Sequence, residues 1–267
     1  MTEPATPVVF VHGLWLHHTS WGPWQEVFAA AGYAPVAPPW PGEEATVAAT
    51  RANPGPMGGY GVAELVDHVA DVMTALPRRP IVVGHSLGGL IAQILLGRGL
   101  AEAAVAIDPA PIKGVLAVPL SSLKVASVAL RNPANRKRTV ALTLAEFRYG
   151  FANTRPEQEA AELYDRWVVP SPGRPLFQAA TANAVYHAVT TVDVRNSHRG
   201  PLLITVGGQD RTAPSAVARA TYRMHRSKSS AVTDLHQFPD AGHSLTIDAG
   251  WPQVADTVLS WLRGQGL

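Results

Sequence analysis

Hydrophobic and polar positions change their period several times along this chain, and each change marks an element. Residues 8–11 form a short unbroken apolar run stopped by His12 and Gly13, the pattern of a strand buried on both faces. Ser20 reads as the N-cap of a helix over residues 24–31, which Gly32 closes. A second strand over residues 33–37 runs into the turn Pro38-Pro39-Trp40-Pro41-Gly42, and the stretch to about Gly61, rich in Gly, Pro and Ala, is expected to be loop. Leu65, Val66, Val69, Val72, Met73 and Leu76 recur at helical spacing and predict a helix over residues 62–76. Short apolar strands follow at 81–84 and 103–107, separated by an apolar helix over 87–97. Further on, strands at 202–206 and 233–238 alternate with helices at 214–225, with proline in its first turn, and 252–262.

Short strands alternating with helices are the signature of parallel strands joined by crossover helices. The expected fold class is α/β, with a mostly parallel central sheet of about six strands flanked by helices. From Ile112 to Arg199 the alternation stops. Helical patterns at 141–149, 157–167 and 176–188 fill this segment, no strand pattern is found in it, and sheet-forming sequence resumes after it. A helical cap over 112–199, inserted into a core made of 1–111 and 200–267, is the organisation this predicts.

Composition narrows the picture. With 267 residues, 46% hydrophobic and 16% charged, the chain has enough apolar material for one sizeable core. It has no cysteine, which excludes disulfides, zinc-thiolate sites and a thiol nucleophile. The opening MTEPATP carries an acid and two prolines where a signal peptide would carry positive charge and then an apolar stretch, so a soluble, cytoplasmic protein is expected. Asp108, Pro109 and Lys113 interrupt the most apolar region, which leaves no run suited to spanning a membrane, and no membrane partner is expected. A formal charge of +2 with no aromatic-interleaved basic stripe gives no reason to expect nucleic acid. The charge is uneven, however: residues 112–199 hold 12 Lys and Arg against 6 acids, either a solvated face or a basic rim for anionic substrates.

Against this background the stretch VVGHSLGG, residues 82–89, stands out. A strand that turns at once into a helix forces strained backbone on the residue at the turn, and small neighbours must let strand and helix approach. Gly84 and Gly88 around Ser86 meet that need, and Gly84-His85-Ser86-Leu87-Gly88 reads as a nucleophile elbow. A serine hydroxyl needs a base, and an imidazole oriented by a carboxylate supplies one near neutral pH. Asp210, in VGGQDRTAP, follows the strand at 202–206, and His243, in PDAGHSL, follows the strand at 233–238. The order Ser86, Asp210, His243 is the one this scaffold uses. Asp108, also just after a strand, is a rival for the acid. His12 and His85 are expected to support the site from beside it, and His17 and His18 to be solvated or pocket-lining, since no further ligands at metal-binding spacing are found.

With HG after the first strand, the elbow, GGQD and AGHS in register, the sequence resembles the alpha/beta hydrolase superfamily, of the cap-bearing, small-molecule-hydrolase type. The likeness covers nearly the whole chain and implies that the backbone N–H groups of Leu14 and Leu87 form an oxyanion hole. The usual sheet of that family has eight strands. Here the first two are expected to be missing.

The resemblance implies a serine hydrolase acting on a small-molecule ester or lactone, with no cofactor and no metal. Carbon–carbon bond or thioester hydrolysis and acyl transfer use the same residues, and a non-catalytic small-molecule binder is the alternative of another class. Trp15, Phe147, Phe151 and Trp167 are the aromatic residues expected to wall the pocket beneath the cap.

Overall fold

The structure, a computed structural model, describes residues 5–117 and 119–267. The chain first builds strand β1 (Pro7–Val11), helix α1 (Gly22–Ala30), strand β2 (Ala34–Val36), helices α2 (Val47–Ala52) and α3 (Val62–Thr74), strand β3 (Ile81–His85), helix α4 (Leu87–Gly97) and strand β4 (Ala103–Ile107). An excursion follows, with α5 (Leu120–Leu130), β5 (Thr139–Val140), α6 (Leu144–Gly150), α7 (Glu157–Trp167), β6 (Ser171–Pro172) and α8 (Arg174–Thr181). The main fold resumes with β7 (Leu202–Gly207), α9 (Ser215–Lys228), β8 (Thr233–Phe238) and α10 (Trp251–Gly264).

Six strands form one sheet in the order β2-β1-β3-β4-β7-β8, with every neighbouring pair parallel. This is the six-stranded α/β architecture that the alternation of patterns predicts. Side chains along each strand alternate between two apolar layers. Val8 and Phe10 of β1, Ile81 and Val83 of β3, and Val105 and Ile107 of β4 pack with Phe28 of α1 and with Val254 and Val258 of α10. The intervening Val9, Val11, Val82, Ala104 and Ala106 pack with Leu65 and Val69 of α3, Leu90 of α4 and Val217 of α9. Because helices cover both faces, the strands read as unbroken apolar runs. Each large aliphatic side chain so buried contributes about 1.5–3 kcal/mol.

From β1 the chain moves outward to β2, then returns to place β3 on the other side of β1. That reversal opens a crevice at the carboxyl ends of β1 and β3, where ligands bind in sheets of this kind. Every residue predicted to do chemistry lies in a segment that leaves the carboxyl edge of this sheet.

Several sequence expectations are corrected. Ser20 does not cap α1; it lies inside a 3-10 turn over His18–Trp21, and α1 begins at Gly22 with Pro23 in its first turn. Gly32 does close the helix, at φ +94°. The stretch expected as loop before Gly61 contains α2, whose N-cap Thr46 accepts a hydrogen bond from Ala49 N at 3.1 Å. The segment expected to lack strands contains the antiparallel pair β5–β6, too short to show a period of two. Helix α5 has no counterpart among the predicted elements, and α8 ends at Thr181, short of the expected 188, in a 3-10 turn. No helix among the described residues is long and apolar enough to cross a membrane.

Candidate active site

Ser86 joins β3 to α4 with φ 55° and ψ −115°, a conformation that L-residues rarely adopt. Its N–H donates to Ile107 O at 2.9 Å and its carbonyl accepts from Ala110 N at 3.0 Å, so the end of β4 holds the strained turn in place. The flanking glycines are required by contact: a Cβ on Gly84 would lie 2.0 Å from Gly88 O, and one on Gly88 would lie 2.0 Å from Val11 O. The serine therefore sits at a point where strand and helix are pressed together.

His243 follows β8 and is fully buried. Its Nδ1 donates to Asp210 Oδ2 at 2.6 Å, which places the ring proton on Nδ1. Asp210 follows β7 and is fixed by its other oxygen, which accepts from Thr212 N at 2.6 Å and Ala213 N at 2.9 Å. His243 Nε2 makes no hydrogen bond among the described residues, so it is unengaged by any other group and not yet bonded to the Ser86 hydroxyl. Such bonds commonly tighten only when substrate is bound.

His85 donates from Nε2 to His243 O at 2.9 Å, and its ring centroid lies 4.6 Å from that of His243. Burial, then the nearby His243, hold its pKa well below the ordinary histidine value, so it is a neutral support. Asp108, the rival acid, accepts from Gly207 N at 2.7 Å and places Oδ2 3.9 Å from His243 Nδ1. Burial and the adjacent Asp210 push its pKa well above the carboxylate range.

On the other side of Ser86, the segment after β1 brings Leu14 and Trp15 to the same cavity as Ser86 and Leu87. Trp15 has φ +66° and is fixed by three hydrogen bonds. Its N–H donates to Ser171 Oγ (2.6 Å), its indole N–H to Val140 O (3.0 Å), and its carbonyl accepts from Val169 N (3.0 Å). The short β5–β6 pair thus anchors the loop. Neither Leu14 N nor Leu87 N donates to another group among the described residues, and Leu87 N belongs to the first turn of α4, where such donors are free.

The cavity above Ser86 has a volume of about 230 Å³. Its walls are mostly small and aliphatic, with Ala126 and Leu130 of α5 and Leu176 and Ala179 of α8 among them, and no charged side chain among the described residues lines it. Of the four aromatic residues expected there, only Trp15 lines it. Phe147 and Phe151 are corrected: they stack on each other at 5.3 Å, and Phe151 meets the His243 ring edge-on at 4.7 Å, so they back the imidazole. Trp167 is corrected as well; its carbonyl accepts from His17 N at 3.1 Å and its ring lies under Arg166.

His17 is not solvated, nor does it line the cavity. Its Nδ1 meets Thr19 Oγ1 at 2.7 Å, its Nε2 meets Glu44 O at 3.0 Å, and Glu43 lies 3.6 Å away. His18 binds the Glu43 carboxylate through its backbone N–H and Nδ1, both at 3.1 Å. His12 lies 3.4 Å from Glu43 and stacks on Trp40 at 4.1 Å. Burial of Glu43 opposes ionisation, but His12, His18 and His17 outweigh it and hold its pKa far below the usual carboxylate range. Sequence reasoning missed Glu43 because no spacing in the chain links it to three histidines.

Two groups bring histidine and carboxylate atoms within 4.8 Å of one another, His17 with His18 and Glu43, and His85 with Asp108 and His243. In the first, the hydrogen bonds described above engage three of the four ring nitrogens; in the second they engage His85 Nε2 and His243 Nδ1 and leave the other two ring nitrogens without a partner among the described residues.

A family model described as "Alpha/beta hydrolase family" matches residues 8–257. No curated protein matches the sequence significantly. Among solved structures, a monoacylglycerol lipase from Paleococcus ferrophilus is 21% identical, with a TM-score of 0.71 over 98% of this chain and 96% of its own. A thermophilic esterase from Thermogutta terrifontis is 18% identical, at TM-score 0.66 over 99% and 92% of the two chains. A methylesterase from Arabidopsis is 14% identical, at TM-score 0.65 over 97% and 99%.

Proposed function

The chain belongs to the alpha/beta hydrolase family, and from that premise we propose that it hydrolyses a carboxylic ester or lactone of a small molecule through an acyl-enzyme on Ser86. The observation that carries this reading is the 2.6 Å bond from His243 to Asp210 at the same sheet edge as the strained serine, which opens onto an apolar cavity. The esterases and the lipase that share the fold favour the same bond class.

In this reading Ser86 Oγ attacks the carbonyl carbon, and its proton passes to His243 Nε2. Asp210 holds the imidazole and stabilises its charged form. The Leu14 and Leu87 amides receive the oxyanion, each worth about 3–4 kcal/mol to the transition state. His243 then protonates the leaving alcohol, takes a proton from the water that attacks the acyl carbon, and returns that proton to Ser86 Oγ as the acyl–oxygen bond breaks and the acid leaves. No cofactor enters these steps. Because the nucleophile is a serine, an alkyl ester on a carboxylate plays no part. The excursion over 112–199 serves as a cap that closes the cavity, and the cysteine-free chain suits the reducing cytoplasm.

Burst kinetics with 4-nitrophenyl esters of graded acyl length test the reading. The wild type is expected to release a stoichiometric burst that Ser86→Ala loses. A burst that persists in Ser86→Ala would move the nucleophile elsewhere, and a wild type inert to esters, lactones and diketones would favour the binder.

A further inference from the structure

Seven large apolar side chains stand exposed among the described residues, and five of them gather on two neighbouring segments. Leu116, Leu120 and Leu123 lie on the approach to α5 and its first turns; Val185 and Tyr186 follow α8. Leu120 is 83% exposed and Tyr186 86%, so this is a concentrated apolar patch on an otherwise ordinary surface. The two segments are tied together. The Asn183 side chain accepts from Gly114 N at 2.7 Å and donates to Val115 O at 2.9 Å, and Lys113 Nζ donates to the carbonyls of Val185 and Tyr186.

The patch borders the cavity of the candidate active site. Val115, Ala117, Leu123, Ala182 and Asn183 line the cavity that reaches Ser86. Leu123 belongs to both surfaces, lining the cavity while 47% exposed, so the apolar wall continues outward onto the rim. Charge completes the picture. The segment 112–199, to which the patch belongs, carries 12 Lys and Arg against 6 Asp and Glu. Exposed Lys124 follows Leu123 directly, its ammonium 3.9 Å from the centre of the Tyr149 ring.

We propose that this rim docks the protein on an anionic lipid surface and that apolar esters pass from that surface into the cavity, the second half of the statement resting on the ester-hydrolase reading of Ser86. Exposed aliphatic and tyrosine side chains beside Lys and Arg are the chemistry of an interfacial contact, with the apolar groups in the headgroup boundary and the cations among acidic headgroups. A cavity lined by no charged side chain takes an uncharged, apolar molecule, and such molecules partition into lipid. A second copy of the chain fits less well, because a twofold contact through this face would put exposed Lys124, beside Leu123, on a surface shared with its own copy.

The test is co-sedimentation of the full chain, wild type and Ser86→Ala, with vesicles of phosphatidylcholine alone and of phosphatidylcholine mixed with phosphatidylglycerol. Both proteins are expected to bind the mixed vesicles roughly tenfold more tightly than the neutral ones, with the preference shrinking as salt is added. The triple variant Leu116→Ser, Leu120→Ser, Tyr186→Ser is expected to lose roughly tenfold in vesicle binding, while its melting temperature and its turnover of 4-nitrophenyl acetate stay at the wild-type level. No binding to either vesicle, equal binding to both, or undiminished binding by the triple variant would overturn the proposal. So would a wild-type dimer in sedimentation velocity that the triple variant makes monomeric, since the rim would then pair with its own copy. Vesicle binding without turnover of any ester would sink the reading of Ser86 and leave the docking; turnover of dissolved esters without vesicle binding would do the reverse.

Discussion

Asp108 holds one carboxyl oxygen 3.9 Å from His243 Nδ1, on the nitrogen that Asp210 takes at 2.6 Å. Two carboxyls beside one imidazole cannot both ionise cheaply, and their surroundings decide between them. Among the described residues, Asp210 receives two backbone N–H bonds on its far oxygen; Asp108 receives only that of Gly207, and its near oxygen receives none. Burial and the adjacent Asp210 push the Asp108 pKa up, which favours Asp210 as the anion beside the histidine. Asp210→Asn is therefore expected to lower kcat/KM for a 4-nitrophenyl ester by roughly a thousandfold or more, as the equivalent change does in the serine proteases. Asp108→Asn, which resembles the protonated acid, should cost less than about tenfold. The opposite ranking would assign the orienting role to Asp108.

Gly84→Ala tests whether the elbow depends on close approach. The new Cβ would lie 2.0 Å from Gly88 O and 2.3 Å from Gly88 C, so α4 must shift away from β3 and carry Ser86 with it. A loss of about 3 kcal/mol in urea unfolding is expected, together with a fall in kcat. Gly22→Ala is the control, since nothing lies within 4 Å of its would-be Cβ and its φ of −49° is helical. It should leave stability unchanged or raise it by a few tenths of a kcal/mol.

What could be read in the sequence followed from local signals. The bounds of α4 and β4 are those of an apolar helix and an apolar run between glycines and charges, and Ser86 announces itself by its flanking glycines. Other features have no local signal. Helix α2 has six residues in a stretch full of turn formers, and the apolar positions of α5 are diluted by serine and alanine. Glu43 meets its histidines only in the folded chain. The place of the cap in the sequence points to Phe147, Phe151 and Trp167, but much of the cavity wall is alanine and leucine, which say nothing until α5 and α8 come together.

That wall makes acyl length tunable. Ala179 lines the cavity on α8, opposite residues of α5 such as Ala126 and Leu130. Ala179→Phe should fill the upper cavity, leaving acetyl ester turnover within about twofold of wild type while lowering kcat/KM for an octanoyl ester at least roughly tenfold, the equivalent of losing two buried methylenes. Equal losses for both esters would mean that the long chain lies elsewhere.

His225 gives the fold an acid sensitivity that can be measured apart from catalysis. It is buried on α9, with Nε2 3.1 Å from Gln93 Oε1, and its Nδ1 receives no hydrogen bond among the described residues. Burial, and after it the charge of Arg199, push its pKa down to about 3. The unfolded chain takes up this proton near pH ~6.5, whereas the native protein does so only near pH 3. Between those values the unfolded state holds more protons, so stability falls as pH is lowered through this window and the contribution is intact above it. His225→Gln removes the titrating group and keeps an amide beside Gln93. Urea unfolding at about pH 7.5 and about pH 4.5 should show the wild type losing about 2 kcal/mol more than the variant. Equal losses would mean that α9 opens enough on acidification to hydrate the imidazolium, and that the burial of His225 does not survive the proton.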